Sequence, residues 1–469
     1  MTVRRRDGRS RSWIGRALVV VMLAAPVATC DFVSPTTSDP NAVSDPALAQ
    51  LFTSAQIATY VLTEEDLSSI SAFFVEQLAP TNRRFLSVGQ PVIGEEETNV
   101  LWDVIYTGGG LVDVRNARAL AVERDDRTTL GILQVIEAYL IGTAASVFGD
   151  IPYSEAVDPG IETPALDDQL EVYAAVQDLL DTAIANLQAG DDPTLPDARD
   201  MSFGMDTAAW IATAHTLKAR YHAHLAELEP GRYAQVMAEA QQGIMDPAGN
   251  WEAFHTTAAT EDNRWSDVVR TRPDFANAGA FLVNLLQESD DPRLAFYFEP
   301  LEGEFVGASK ETGAQGAKLS RRFFAAADFA FPIVTAWENA FLAAEAAIAT
   351  NDPGAAQAWV DRAIEDLEAY WSALTGEAVD LPDPVVEDMA DVIREKYKAM
   401  FLSFEAWNDY KRTCEPGFDN VYPGGAMIPL RLPYPTQERS SNPNVPPLAQ
   451  QPERNANDPA PCPPNDFRQ

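Results

Sequence analysis

The sequence predicts an all-α fold of stacked helical hairpins, and three observations point to it. Apolar residues recur at three- and four-residue steps along most of the chain, the spacing that lines one face of a helix. Polar capping residues stand where several of these runs begin, as at Ser44, Asp45 and Pro46. Short turns join Ala-rich runs: Thr350, Asn351, Asp352, Pro353 and Gly354 separate Ala346, Ala347 and Ala349 from Ala355, Ala356 and Ala358. Small residues on both sides of such a turn let two helices approach closely.

The first run carries Leu48, Leu51, Ile57 and Val61 among its apolar positions, and the second carries Leu67, Ile70, Phe73, Phe74 and Leu78. A third covers about 98–124 and contains Gly108, Gly109 and Gly110. Glycine costs about 1 kcal/mol inside a helix, so three in a row predict a break. A fourth runs from about 127 to 147, and others span 168–188, 207–228, 233–245, 277–287, 337–350, 355–374 and 385–410. Trp102, Trp210, Trp337 and Trp407 fall on helical faces and read as core anchors. A strict 34-residue repeat is absent, so any repetition is degenerate. The stretches 250–274 and 298–331 lack a helical pattern; irregular segments longer than about 15 residues usually carry function. The Pro-, Asn- and Gly-rich chain from Cys414 onward reads as an irregular covering segment.

The start of the chain is an export signal in outline. Six arginines precede an apolar run at 17–28, which is too short to span a bilayer, and small residues end it. The string Val27, Ala28, Thr29, Cys30 resembles the lipobox of a bacterial lipoprotein. That resemblance implies a signal peptide over 1–29, lipidation of Cys30, and a polar tether over 30–45 that lifts a single domain, 46–469, off the membrane. Downstream of residue 29 the chain has 28 basic and 69 acidic residues, net −41. So acidic a surface repels nucleic acid and anionic headgroups, which leaves the lipid as the membrane contact. In an oxidising compartment the remaining pair, Cys414 and Cys462, is expected to form a disulfide pinning the tail to the body; two free thiols are the alternative.

Catalytic and metal constellations find little support. His215, His222 and His224 share one predicted helix, but His224 points about 200° away from His222 at roughly 100° per residue, and no HExxH string occurs. No nucleophile elbow, phosphate loop, dinucleotide fingerprint or EF-hand spacing is present. Carboxylates are so numerous that no glycosidase pair stands out. No catalytic residue, metal ligand or cofactor is assigned.

The fourth helical run ends in FGDIPYSEA, residues 148–156. Gly149 can close the helix in a left-handed conformation, Pro152 prevents continuation, Asp150 can accept backbone donors in the turn, and Tyr153 can fold back on the helix end. This string resembles the aromatic-Gly-Asp-x-Pro-Tyr-x-x-Ala signature of the SusD/RagB family of nutrient-binding outer-membrane lipoproteins. Six further strings agree in the family's order: YAAVQDLLDTAIANL at 173–187; the tryptophan-bearing 203–226 with Leu217, Lys218 and Arg220; DPRL at 291–294; ENAFLAAEAA at 338–347; 395–413, closing in Trp407 and Asp409-x-x-Arg412-Thr413; and IPLRLPYPTQE at 428–438 followed by Asn442 and Asn444. Two departures are Lys411, where the family often has arginine, and Cys414, where it often has glycine.

The resemblance implies a scaffold of tetratricopeptide-like helical hairpins with irregular loops packed on one side. It implies a protein on the outer face of the outer membrane that binds glycans, or in some members peptides, and delivers them without chemistry to a SusC-type TonB-dependent barrel. Aromatic residues in irregular loops can stack on sugar rings. Trp265 and Asn263, beside Arg264 and Asp267, are the first candidates for ligand contact, burial under the loop being the alternative for the tryptophan. Trp251, Phe254, and the segment with Asn82, Arg83, Arg84 and Phe85 come next. A surface glycoside hydrolase and a helical-repeat interaction scaffold are the competing functions.

Overall fold

In a computed structural model, residues 47–464 are described except 65, 81–92, 191–192, 309–314, 419 and 421–425. Cys30, Arg84 and Phe85 therefore lie outside the described residues. The chain is predominantly helical, with three two-stranded antiparallel ribbons. Helices α1 (Leu48–Thr63), α2 (Asp66–Phe74), α3 (Asn99–Tyr106), α4 (Leu111–Glu123), α5 (Arg127–Phe148), α6 (Gln169–Ala189), α7 (Thr207–Ala226) and α8 (Tyr233–Ala240) come first, with strand β1 (Leu78–Pro80) between α2 and α3. Next come β2 (Trp251–Ala253), α9 (Arg264–Thr271), β3 (Ala276–Ala278), α10 (Ala280–Glu288), α11 (Arg293–Tyr297), β4 (Phe298–Glu299), β5 (Lys318–Leu319) and β6 (Phe331–Val334). The chain closes with α12 (Ala336–Ala349), α13 (Pro353–Thr375), α14 (Met389–Ala399), α15 (Glu405–Thr413) and α16 (Thr436–Ser441).

Successive helices α4 to α8, then α12 and α13, pack as antiparallel neighbours, each turn returning the chain along its predecessor. α5 is the spine. It is long and apolar enough to cross a membrane, yet nearly all of it is buried by protein. Its Gly142 shows how closely the layers approach, since a Cβ there would sit 2.2 Å from the Tyr221 ring of α7. Between α12 and α13 the Ala-rich turn forms as the sequence predicts: Asp352 accepts the Ala355 amide at 3.0 Å, and Pro353 occupies the first turn. The third predicted run breaks at its glycines into α3 and α4, where Gly108 and Gly109 have φ of 32° and 101°. Trp102, Trp210, Trp337 and Trp407 are all buried.

Three stretches differ from expectation, the first two because a partner elsewhere in the chain claims the helix end and the third because of a local cap. The run 385–410 is two helices. Gln77 donates to the Tyr397 and Met400 carbonyls at 3.2 and 3.1 Å and accepts the Leu402 amide at 2.9 Å, while Leu402 turns to φ 63°. α8 stops at Ala240, whose carbonyl accepts from Asn339 at 2.8 Å, and the Ile244 amide is taken by Thr216. Within 250–274, expected to be irregular, Asn263 starts α9 by accepting the Trp265 amide at 2.8 Å.

Buried charge welds the hairpins together. Arg220 of α7 grips Glu338 of α12 with two hydrogen bonds, 2.6 and 2.7 Å, and lies 3.9 Å from Glu405 of α15. Glu405 also meets His224 at 2.8 Å, whose other ring nitrogen lies 3.0 Å from the Tyr173 hydroxyl of α6. A second set joins Glu345 of α12 to Lys396 of α14 at 2.8 Å and to Arg412 of α15, with Asp409 bonded to both cations at 3.0 and 2.6 Å. Burial would raise the Glu405 carboxyl, but His224 and Arg220 outweigh it and hold it at about 2.

The FGDIPYSEA turn fastens the C-terminal segment. Gly149 takes φ 77° and its amide closes on the Ala145 carbonyl. Asp150 accepts the Gln169 amide at 3.0 Å, and its carbonyl accepts from the Tyr434 hydroxyl at 2.6 Å. The Tyr153 hydroxyl reaches back to Glu137 at 3.2 Å. A disulfide joins Cys414 to Cys462, with Cα atoms 5.3 Å apart. Cys414 ends α15 at φ 62°, the left-handed conformation that glycine enters without a side-chain penalty. Lys411 is buried and donates to the Ser146 carbonyl at 2.5 Å while lying 4.5 Å over the Trp407 ring.

Removing one partner of a buried ion pair leaves the other charge stranded. Arg220→Met is expected to lower the unfolding free energy by about 3–5 kcal/mol, read from the denaturant midpoint. A loss below about 1 kcal/mol would show that the Glu338 and Glu405 carboxylates do not depend on this arginine.

Candidate functional site

Among the described residues, three concavities are wide enough for a small ligand. One, about 700 Å³, lies between the FGDIPYSEA turn and the C-terminal segment, lined by Gly149, Asp150, Arg431 and Asp458. Its strongest polar groups are sealed: both carboxylate oxygens of Asp458 and Nη2 of Arg431 are buried without a hydrogen-bond partner. A second, about 730 Å³, is a broad groove across α4, α5 and α6, whose Tyr153 is already tied to Glu137 and lies beneath Arg115 at 5.2 Å.

The third is a cleft of about 480 Å³ between α1 and the segment after β2. One wall is α1, with Thr53, Ile57, Tyr60, Val61 and Glu64; Met201 contributes from the turn before α7; the other wall is Phe254, His255 and 259–262, with Arg264 at the start of α9. Phe254 is 56% exposed and is the one exposed aromatic side chain among the described residues, and Ile57 opposite is 48% exposed. An unburied aromatic ring and an aliphatic side chain facing a polar rim is the pattern that takes the flat apolar face of a sugar or a peptide side chain.

Each wall is held from below. Asp200 accepts amides from Ser202, Phe203 and Met205 and the Trp210 indole N–H at 2.8 Å, shaping the turn that presents Met201. Tyr60 shares a 3.2 Å hydrogen bond with Ser202, and burial raises its hydroxyl to about 12, so it stays a neutral donor. β2 pairs with β6, placing Phe254 just past the strand end. Glu64 ties the far wall to α1 through His255 at 2.7 Å.

The sequence-chosen residues divide sharply. Phe254 lines the cleft. Trp251 and Trp265 are each 0% exposed, which corrects their assignment as stacking platforms. Trp251 faces inward on β2 against Tyr139 and Trp210 at 5.1 and 5.2 Å, its indole N–H on Ser202. Trp265 packs into the core on the inner face of α9. Asn263 is also fully buried, which withholds it from a ligand; its side chain caps α9 and donates to the Phe329 carbonyl at 3.1 Å. Ile57, Val61, Glu64, Met201 and His255 were not anticipated. Ile57 and Val61 belong to the apolar pattern of the first run and lie one turn apart on the cleft side. Of the three histidines of α7, His215 meets Glu239 at 2.7 Å, His224 meets Glu405 at 2.8 Å, and His222 lies 3.4 Å from Arg232.

With this geometry established, the comparisons are specific. Residues 40–435 match the SusD-like family described as starch-binding and associating with the outer membrane. The chain belongs to the SusD/RagB family of binding proteins. A chitin-binding SusD homologue from Flavobacterium johnsoniae superposes with a TM-score of 0.74 at 19% identity, covering 89% of this chain and 99% of that one. A second chitin-binding protein gives 0.70 at 19% identity, covering 85% and 95%. A SusD/RagB protein of Bacteroides thetaiotaomicron gives 0.64 at 20% identity, again covering 85% and 95%. No curated protein sequence matches the chain.

Burial lifts the Glu252 carboxyl of β2 to about 7, against the pull of hydrogen bonds from Tyr370 and Asn250. The folded protein thus holds a proton between pH 4.5 and about 7 that the unfolded chain releases, so stability falls as pH rises through that window. Glu252→Gln is expected to unfold at higher denaturant than the parent above pH 7, by about 2–3 kcal/mol, and to match it near pH 4.5. A pH-independent difference between the two would contradict the assignment.

Proposed function

We propose that this chain is a lipid-anchored protein of the outer-membrane surface that captures oligosaccharides in the α1 cleft and hands them, unaltered, to a SusC-type TonB-dependent barrel. The observation that carries the binding site is Phe254, the single exposed aromatic ring among the described residues, facing Ile57 across a cleft with polar edges. Family membership supports a binding protein of the outer membrane rather than an enzyme. The starch-binding description of the family and the chitin-binding descriptions of two structural neighbours favour a glycan over a peptide. In this reading residues 1–29 are removed, Cys30 carries the lipid, 30–45 is the tether and 46–469 is the binding domain.

Phe254→Ala is expected to weaken binding to whichever member of a panel of chito-, malto- and other oligosaccharides the parent binds, by about tenfold or more in calorimetry. Unchanged affinity would remove the cleft from the proposal, and shortened oligosaccharides after incubation would favour a glycoside hydrolase instead. In the native host, Cys30→Ser is expected to shift the protein from the membrane to the soluble fraction, and a large TonB-dependent barrel should co-purify with the parent; a mature chain without acyl groups at Cys30 would refute the anchor.

A further inference from the structure

Two side chains of α1 fasten the segment that carries Phe254: Tyr60, bonded to the Phe254 backbone, and Glu64, which holds both ends of the segment. Glu64, at the C-terminal end of α1, is buried, and its two carboxylate oxygens serve opposite ends of that segment. Oε1 lies 2.7 Å from Nε2 of His255, next to Phe254, and Oε2 lies 3.4 Å from the backbone amide of Arg264, where α9 begins. The other ring nitrogen, Nδ1, is 3.2 Å from the Glu261 carbonyl, which also accepts the Thr256 amide at 3.1 Å. Both nitrogens of the imidazole therefore face acceptors, and only a ring protonated at both positions can donate to both. With one proton gone, either the tie to α1 or the tie that closes the loop loses its donor.

We propose that His255 is a positioning residue for the cleft: as an imidazolium it pins the Phe254 segment to α1, and ligand affinity at the cleft falls as the solution turns alkaline. This rests on the cleft being the ligand site. The ring sees Glu64 and, at 6.4 Å, the Tyr60 ring from α1, and Glu261 and Asp262 from its own loop; Arg264 lines the same cleft. Burial pulls the imidazole down, but Glu64, the Glu261 carbonyl and Asp262 more than offset it, raising it above its ordinary 6.5. The sign follows: a cation favoured by folding contributes its full tie below pH 6.5, and the tie is lost as pH rises through the raised value.

Hydrogen exchange of residues 254–264 in the full chain, corrected for intrinsic rates and followed from about pH 5.5 to 9, tests this without a ligand. Protection in the parent should drop by about tenfold across the range, the worth of one charge-assisted hydrogen bond. His255→Gln, whose single amide nitrogen cannot span the two acceptors on opposite sides of the ring and does not titrate, should show low protection at every pH, and Glu64→Gln should move the parent's transition to lower pH. Equal protection of the parent at both ends of the range, or the same pH dependence in His255→Gln, overturns the proposal. The binding arm uses a soluble chito-oligosaccharide and a malto-oligosaccharide. If Phe254→Ala abolishes binding while the parent's affinity stays level with pH, the site stands and His255 does not position it; if Phe254→Ala binds normally, the site itself fails.

Discussion

The buried carboxylate–cation network between α6, α7, α12, α14 and α15 is the constraint on which the rest of the architecture depends. A hydrophobic interface between helices tolerates sliding and rotation at modest cost, because apolar contact is not directional. A fork of two hydrogen bonds between Arg220 and Glu338, both about 1% exposed, does not. Bringing such charges out of water costs several kcal/mol each, recovered only when every partner is in place. Glu345 meets this demand by serving Lys396 and Arg412 together, and Asp409 closes the set by bonding both. The network therefore selects one register among the many in which Ala-rich helices could stack, and α13, which lies outside it, packs instead through alanine and aromatic contacts.

This explains why family and fold were legible in sequence while the ligand site was not. Arg220, Glu338, Glu345, Asp409 and Arg412 all fall inside strings that resemble the family's, and so do Asp150, Tyr153 and Tyr434 of the turn that fastens the C-terminal segment. Those strings are marks of internal bonding. A chain that keeps them keeps the scaffold, and they carry no information about what the cleft holds. The departures fit the same logic. Cys414 fills a left-handed position that suits glycine, yet its thiol is joined to Cys462. Lys411 has a single ammonium to place, and finds the Ser146 carbonyl and the Trp407 face.

The choice of Trp251 and Trp265 failed for a definable reason. Trp251, Phe254 and Trp265 all lie in a stretch without helical periodicity, so nothing in the sequence says which way each ring points. Direction is set by pairing and capping. β2 pairs with β6 and turns Trp251 inward; Asn263 caps a short helix and turns Trp265 inward; Phe254 follows the strand end, beyond the pairing, and stays outside. Helix ends were misplaced for a related reason, since Gln77 and Asn339 reach their targets, Met400 and Ala240, across 323 and 99 residues of sequence.

The two sides of the molecule consequently differ in how they are held. On the hairpin side each helix is fixed by several buried partners at once, so losing one contact leaves others in register. On the cleft side the segment after β2 is attached to α1 through the two oxygens of Glu64 and through Tyr60 at the Phe254 backbone, and Asn263 ties it to 327 and 329. The walls can change residue by residue without disturbing the ion network, because no side chain is shared between them: Glu64, His255 and Phe254 touch none of Arg220, Glu338, Glu345 or Arg412 through any hydrogen bond or ion pair among the described residues. The strings that resemble the family's then belong to the rigid side, and the cleft walls lie outside them.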